Sequence, residues 1–277
     1  MKKNIILFIL ISFNINAQSL KFDKINTQCE DKWIAHQMDK DSIYSFGFIY
    51  IDSQAGLTFN YEGKFKIDKN GKFNRIKEEL ISLKHRLEPN RIALAEIPES
   101  KYQELNIQKK PDWLRFYKTD ENTIERLFKW GFMYNGWGNP EKALLFLEKA
   151  DKMNSNFKGL QTELAYSYNA LEKFDKAEIA LKKAIEQNPK DCYSLKELAY
   201  TYNHLDNLEK SIETYNKMVS TCSEKDWIQE TAFNMTYAYF KAKDKTKFKY
   251  WNLETRKWSN SENKITQYLD RLQAELK

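Results

Sequence analysis

The chain has little cysteine, histidine, proline or glycine, with 3, 3, 5 and 8 residues of each in 277. Three cysteines are too few for a disulfide scaffold, and an odd number leaves one outside any pairing within the chain. His36, His85 and His204 lie at no metal-ligand spacing from one another or from a cysteine. Each reads as a surface or helix-packing residue. The sequence has no nucleophile elbow, phosphate-cradling glycine loop or dinucleotide fingerprint. No catalytic centre, metal site or resident cofactor is therefore expected. Asp-Lys-Asn-Gly at 68–71 begins like a calcium loop but lacks the further carboxylates and closing glutamate, so it reads as a hairpin turn. No apolar run reaches the ~20 residues of a membrane-spanning helix. Charge of one sign is also scarce: 45 Lys and Arg against 39 Asp and Glu leave a formal +6, with the two signs interspersed. A nucleic-acid partner would call for a basic stripe, and none is expected here.

What is present begins with an address. Lys2 and Lys3 precede an almost wholly apolar stretch over residues 5–15, and Ala17 is a small residue suited to cleavage before Gln18. Residues 1–17 are read as a secretory signal peptide, which makes the chain an exported one, periplasmic or secreted, with no stable membrane insertion after cleavage. No cysteine stands at the cleavage point to carry a lipid. Removing Lys2 and Lys3 lowers the formal charge from +6 to +4. Seventeen Phe, 16 Tyr and 7 Trp supply the core that disulfides do not.

Residues 18–119 read as a small α+β domain with antiparallel hairpins. Leu57, Phe59, Tyr61, Phe65 and Ile67 alternate with polar residues, the period-2 signature of a strand with one buried face. Gly63 interrupts the run and marks a bulge. Residues 44–51 form an apolar stretch ahead of it, and residues 53–56 a loop between two strands. Asn70-Gly71, flanked by apolar residues, is a strong hairpin signal. Three antiparallel strands then span residues 44–76. A helix is expected over residues 75–87, with Ile76, Leu80, Leu83 and Leu87 on one face, and a short strand over residues 91–96. Residues 111–120 are the connection.

From residue 120 the period changes. Ala143, Ala177 and Ser211 are each 34 residues apart. Gly131, Ala165 and Ala199 precede them by twelve, Tyr134, Tyr168 and Tyr202 by nine, and Leu147, Leu181 and Tyr215 follow by four. Small residues where two antiparallel helices cross let the backbones approach, and large ones at helical spacing fill the gaps beside them. Asn139 reads as an N-cap with Pro140 at the first helical position and Gly138 in the turn before.

The three copies, Lys-Trp-Gly-Phe-Met-Tyr at 129–134, Glu-Leu-Ala-Tyr-Ser-Tyr at 163–168 and Glu-Leu-Ala-Tyr-Thr-Tyr at 197–202, resemble the tetratricopeptide repeat family. The resemblance implies an all-α array: three regular repeats and a degenerate fourth over residues 120–259. In the fourth, Tyr239 and Phe248 keep the nine-residue spacing but a ring replaces the small residue, which predicts a looser pair. Residues 260–277 read as a capping helix, with Ser259 and Glu262 as a capping box and Ile265, Leu269, Leu272 and Leu276 on one stripe.

Members of the family bind peptides on the inner face of the first helices. By register, that resemblance assigns partner binding to Phe132, Tyr166 and Tyr200, to Asn135, Asn169 and Asn203, and to His204. An asparagine column offers both a donor and an acceptor to an extended backbone; the competing reading is that the rings only pack between adjacent repeats and the asparagines end the first helices. The clamp some members use for a terminal carboxylate is not matched, since Lys196 stands where Phe128 and Thr162 occupy the other copies. In the repeat arrangement Cys192 begins a first helix and Cys222 ends the second helix of the same unit. They are either a disulfide or two packed thiols, with Cys29 the odd one. The function expected is a non-enzymatic scaffold or adaptor of the cell envelope holding another protein or peptide segment. The alternative is that the α+β domain is an enzyme or small-ligand module and the repeats are its support.

Overall fold

Two long apolar strands organise the first hundred residues. In the computed structural model, which describes residues 20–37, 39–78, 83–88, 92–259 and 264–276, they are β3 (Tyr44–Asp52) and β4 (Gly56–Ile67). Five shorter strands join them: β1 (Phe22–Lys24), β2 (Lys32–Ala35), β5 (Phe73–Ile76), β6 (Lys84–Arg86) and β7 (Leu94–Glu96). All pairings are antiparallel, in the order β1-β7-β2-β3-β4-β5. Strand β6 pairs with the first half of β4 and β5 with the second half, so two short strands share one long edge. The stretch expected to be a signal peptide, Leu80, Arg91 and Glu262 lie outside the described residues.

The bulge expected near Gly63 is present. Phe46 pairs with Gly63 but Gly47 with Tyr61, so Glu62 is the extra residue. One extra residue turns every later side chain to the opposite face. The single buried face expected for residues 57–67 is therefore two half-faces. Leu57, Phe59 and Tyr61 share the side of Ile49 and Ile51, whereas Phe65 and Ile67 join Phe46, Phe48 and Tyr50 in the aromatic core. Trp33, Phe73, Leu105 and Leu114 complete that core, and the Trp33 indole donates to the Gln108 carbonyl at 2.8 Å.

The helix expected over residues 75–87 is not formed at the described positions. Ile76 pairs with Lys64 in β5, and Lys84 to Arg86 are β6. Arg75 is held by donating to the Leu105 carbonyl and to the carbonyl and carboxylate of Glu62, each at 2.9 Å. The short strand is Leu94–Glu96. In the Asp-Lys-Asn-Gly turn the Asp68 carboxylate accepts from the amides of Asn70 (2.8 Å) and Lys72 (3.1 Å), and Gly71 takes φ +76°. These bonds, Lys72 first, hold the Asp68 carboxyl below its ordinary pKa. Hairpin geometry occupies this carboxylate.

The chain divides into two compact units, residues 1–119 and 120–277. The second is all-α: α1 (Ile124–Gly136), α2 (Pro140–Met153), α3 (Leu160–Ala170), α4 (Phe174–Gln187), α5 (Cys192–His204), α6 (Leu208–Thr221), α7 (Lys225–Lys241), α8 (Lys245–Lys257) and α9 (Lys264–Glu275). The small residues sit where helices cross: Ala143, Ala165, Ala177, Ala199 and Ser211 are fully buried. A Cβ on Gly131 would meet the Leu147 side chain at 2.3 Å, so the first copy has traded alanine for a closer approach. Asn139 caps α2 by accepting from the Lys142 amide at 3.2 Å, with Pro140 at the first helical position. The fourth pair is not loose. Phe248 and Trp251 on α8 pack with Tyr239, Met235 and Ile228 on α7, and Leu272 of α9 closes the cluster. No helix among the described residues is long and apolar enough to cross a membrane.

Candidate functional site on the first-helix face

Helices α1, α3, α5 and α7 carry the first-helix positions, and the asparagines there meet specific partners one repeat further on. The Asn135 amide donates to the Glu163 carbonyl (3.0 Å) and carboxylate (2.9 Å), and its oxygen accepts from the Ser167 hydroxyl at 2.7 Å. The next rung repeats this: Asn169 donates to Glu197 at 3.1 Å and accepts from Thr201 at 2.9 Å. Both asparagines are buried. Asn135 and Asn169 thus clasp neighbouring repeats, with their amides already bonded within the chain. In the third rung Thr231 and Met235 stand where the glutamate and hydroxyl would be, and both polar side-chain atoms of Asn203 are buried without a partner.

The rings behave differently. Phe132 is 56% exposed beside Phe128. Tyr166 and Tyr200 are half-buried and line a cleft of about 170 Å³ together with Asn169, Ala170, Lys196, Glu197 and Glu230. Tyr200 also packs on His204, which stacks on Phe174 at 4.6 Å. Burial, then the Lys241 ammonium, lowers the His204 pKa. His36 packs edge-on against Phe59, and His85 lies in β6.

The cleft's charges are arranged around one ammonium. Lys196 lies 3.1 Å from Glu197 and 3.3 Å from Glu230. Burial alone would lower its pKa, but the two carboxylates outweigh that and the net shift is upward. Burial raises the pKa of Glu163, the Asn135 bond opposes it, and Glu197 adds to it. Tyr193 and Tyr200 are also raised, by burial first and then by Glu197. Glu230 was missed in the sequence, although it lies 34 residues after Lys196. The register alone places those two on adjacent rungs.

Cys192 and Cys222 form a disulfide with Cα atoms 5.8 Å apart, joining the start of α5 to the end of α6. Glu224 lies close enough to make a three-ligand cluster, but both sulfurs are spent on each other. Cys29 is buried, its thiol donating to the Ile25 carbonyl at 3.3 Å.

Tetratricopeptide repeat models match residues 160–191 and 180–213. Among solved structures the chain is similar to MamA in two crystal structures. One is 20% identical, with a TM-score of 0.46 over 53% of this chain and 84% of that one. The other is 22% identical, with a TM-score of 0.42 over 59% and 81%. It is also similar to the first tetratricopeptide region of Spaghetti (RPAP3) bound to the HSP90 peptide SRMEEVD, at 20% identity and a TM-score of 0.38 over 42% and 95%. A search of curated proteins gives no match. The α-helical unit of this chain is thus a tetratricopeptide-like array, of which residues 160–213 match tetratricopeptide repeat models.

Proposed function

We propose that this chain is a non-enzymatic interaction protein whose repeat unit holds an extended segment of another polypeptide along the first-helix face, and that it does so outside the cytoplasm. The observation that carries the reading is the division of labour on that face. The amides of Asn135 and Asn169 are consumed between repeats, while Phe132, Tyr166 and Tyr200 keep ring surface exposed or lining a cleft. Aromatic rings give large contact area at low conformational cost, which suits a binding surface. The Cys192–Cys222 bond fits an oxidising compartment, as does a signal peptide over residues 1–17.

A photo-reactive phenylalanine analogue placed at position 132 and, separately, at 179 tests the face. Ile179 is 60% exposed on α4, a second helix, and serves as the control. Cross-links to one defined partner segment from 132 and not from 179 support the reading; equal capture from both sinks it. N-terminal sequencing of the protein recovered from the cell envelope or the medium checks export, with Gln18 as the expected first residue.

A further inference from the structure

The cleft between Tyr166 and Tyr200 has a sign. Its lining holds two carboxylates, Glu197 and Glu230, and one ammonium, Lys196, which both carboxylates already share at 3.1 and 3.3 Å. An incoming carboxylate would have to take Lys196 from two groups that hold it. An incoming cation meets two carboxylates that divide a single counter-charge between them, and two half-buried phenol rings whose faces attract cations. The Lys196 ammonium also lies 5.3 Å from the centre of the Tyr193 ring, beside the cleft. Burial first, then Glu197 and Glu163, push the Tyr193 hydroxyl up, so Glu163, one rung earlier, acts with the same sign on this face. The chain as a whole is cationic, at a formal +6. Undirected attraction would therefore favour an acidic partner, and a preference for a basic one has to come from a local site.

We propose that the segment held on this face is basic, and that an arginine or lysine side chain of the partner enters the Tyr166–Tyr200 cleft with Glu197 and Glu230 as its counter-charges. This rests on the use of the first-helix face proposed above and states its chemistry. It is the opposite of a clamp for a terminal carboxylate. Lys196 acts as an internal stand-in for the partner's cation, offsetting one of the cleft's two carboxylates when it is empty and competing with the guest.

That competition gives the test its direction. Three fluorescein-labelled nonapeptides alternating alanine with arginine, glutamine or glutamate are titrated by anisotropy against the full, oxidised chain. The arginine peptide is expected to bind tightest. Tyr166→Ala and Glu230→Gln should each weaken it about three- to tenfold, the scale of one cation–π contact or one partly exposed ion pair. Glu230 is 47% exposed at its side chain, so its replacement leaves the packing of α7 in place. Lys196→Gln, which releases both carboxylates, should strengthen binding of the arginine peptide. If the glutamate peptide binds tightest and Lys196→Gln abolishes it, the face stands and its sign is overturned. If no peptide responds to Tyr166→Ala, the cleft is not the binding site and this inference falls with the reading beneath it.

Discussion

Asn169 and Asn203 occupy the same repeat position and meet opposite fates. Asn169 is bonded at both polar atoms, to Glu197 and Thr201, while Asn203 has neither partner. A buried polar group left unpaired costs about 1–3 kcal/mol, and removing it can be neutral or favourable. Asn169→Leu is therefore expected to lower stability by about 1 kcal/mol, because it removes two buried bonds, leaving Glu197 with Lys196 and the Thr201 hydroxyl with the Glu197 carbonyl. Asn203→Leu should be neutral or stabilising. Urea denaturation of the two variants side by side checks the contrast. Glu163 gives a second prediction at this scale. A carboxyl whose folded pKa lies above its unfolded value contributes stability that is fully present below the unfolded value and is lost as pH rises through the folded one. Glu163 is raised above 4.5, so its contribution should fade as pH climbs from there toward neutrality. With Glu163→Gln that pH dependence disappears. The difference in Tm between variant and parent should be most in the variant's favour near pH 7 and shrink toward pH 4.5. The asparagine ladder was legible in the sequence, but its meaning was not. The glutamate and the hydroxyl of the Glu-Leu-Ala-Tyr-Ser/Thr-Tyr motif are its partners, 28 and 32 residues further on, and that pairing exists only between repeats.

Among the elements, local signals were read well and long-range pairing was not. Asn70-Gly71 marks a true hairpin because the turn's geometry is set within a few residues. The helix expected over residues 75–87 is not formed at the described positions, because apolar residues three and four apart say nothing about a neighbour's open edge. The hairpin carries β5 through Ile76, past the helix's intended start, and the far edge of β4 takes up residues 84–86. Gly47 shows how tightly that sheet is set at the bulge. A Cβ there would lie 2.3 Å from the Asn60 carbonyl oxygen and 2.5 Å from the Phe59 ring. The carbonyl is backbone and cannot swing away, so Gly47→Ala should cost about 1–3 kcal/mol, read as a fall in the unfolding midpoint of the strand-rich unit. In the helical unit, Cys192–Cys222 closes a loop with a sequence separation of 30 residues. The chain-entropy model gives about 3–4 kcal/mol for such a loop. Cys222→Ser, or reduction of the parent, should lower the melting temperature of the helical unit while leaving the Gly47 region untouched.

At the scale of the whole array, the 34-residue period was visible because each repeat is a local unit, and it fades where a helix changes length. The left-handed turn residues Glu172 and Asp206 are 34 apart, but Lys243 follows Asp206 by 37, because α7 runs to 17 residues where α5 has 13. The fourth pair thus keeps the architecture and loses the period, filling its crossing with Phe248 and Trp251 in place of a small residue. Such a pair presents a large apolar face at the array's end, and α9 covers it. Leu272 and Leu276 pack into the α7–α8 cluster, Arg256 donates to Asp270 at 2.6 Å, and Asn252 to Gln273 at 3.3 Å. In an array of repeats each unit contacts only its neighbours, so stability is a sum of unit and interface terms and damage at one end decays along the chain. Leu269→Asp with Leu272→Asp places two charges in positions that are now buried. Hydrogen exchange should then lose protection first in α7 and α8, less in α5 and α6, and least in α1 and α2. A uniform loss across all the helices would mean instead that the array unfolds as a single cooperative block, with α9 holding the whole of it.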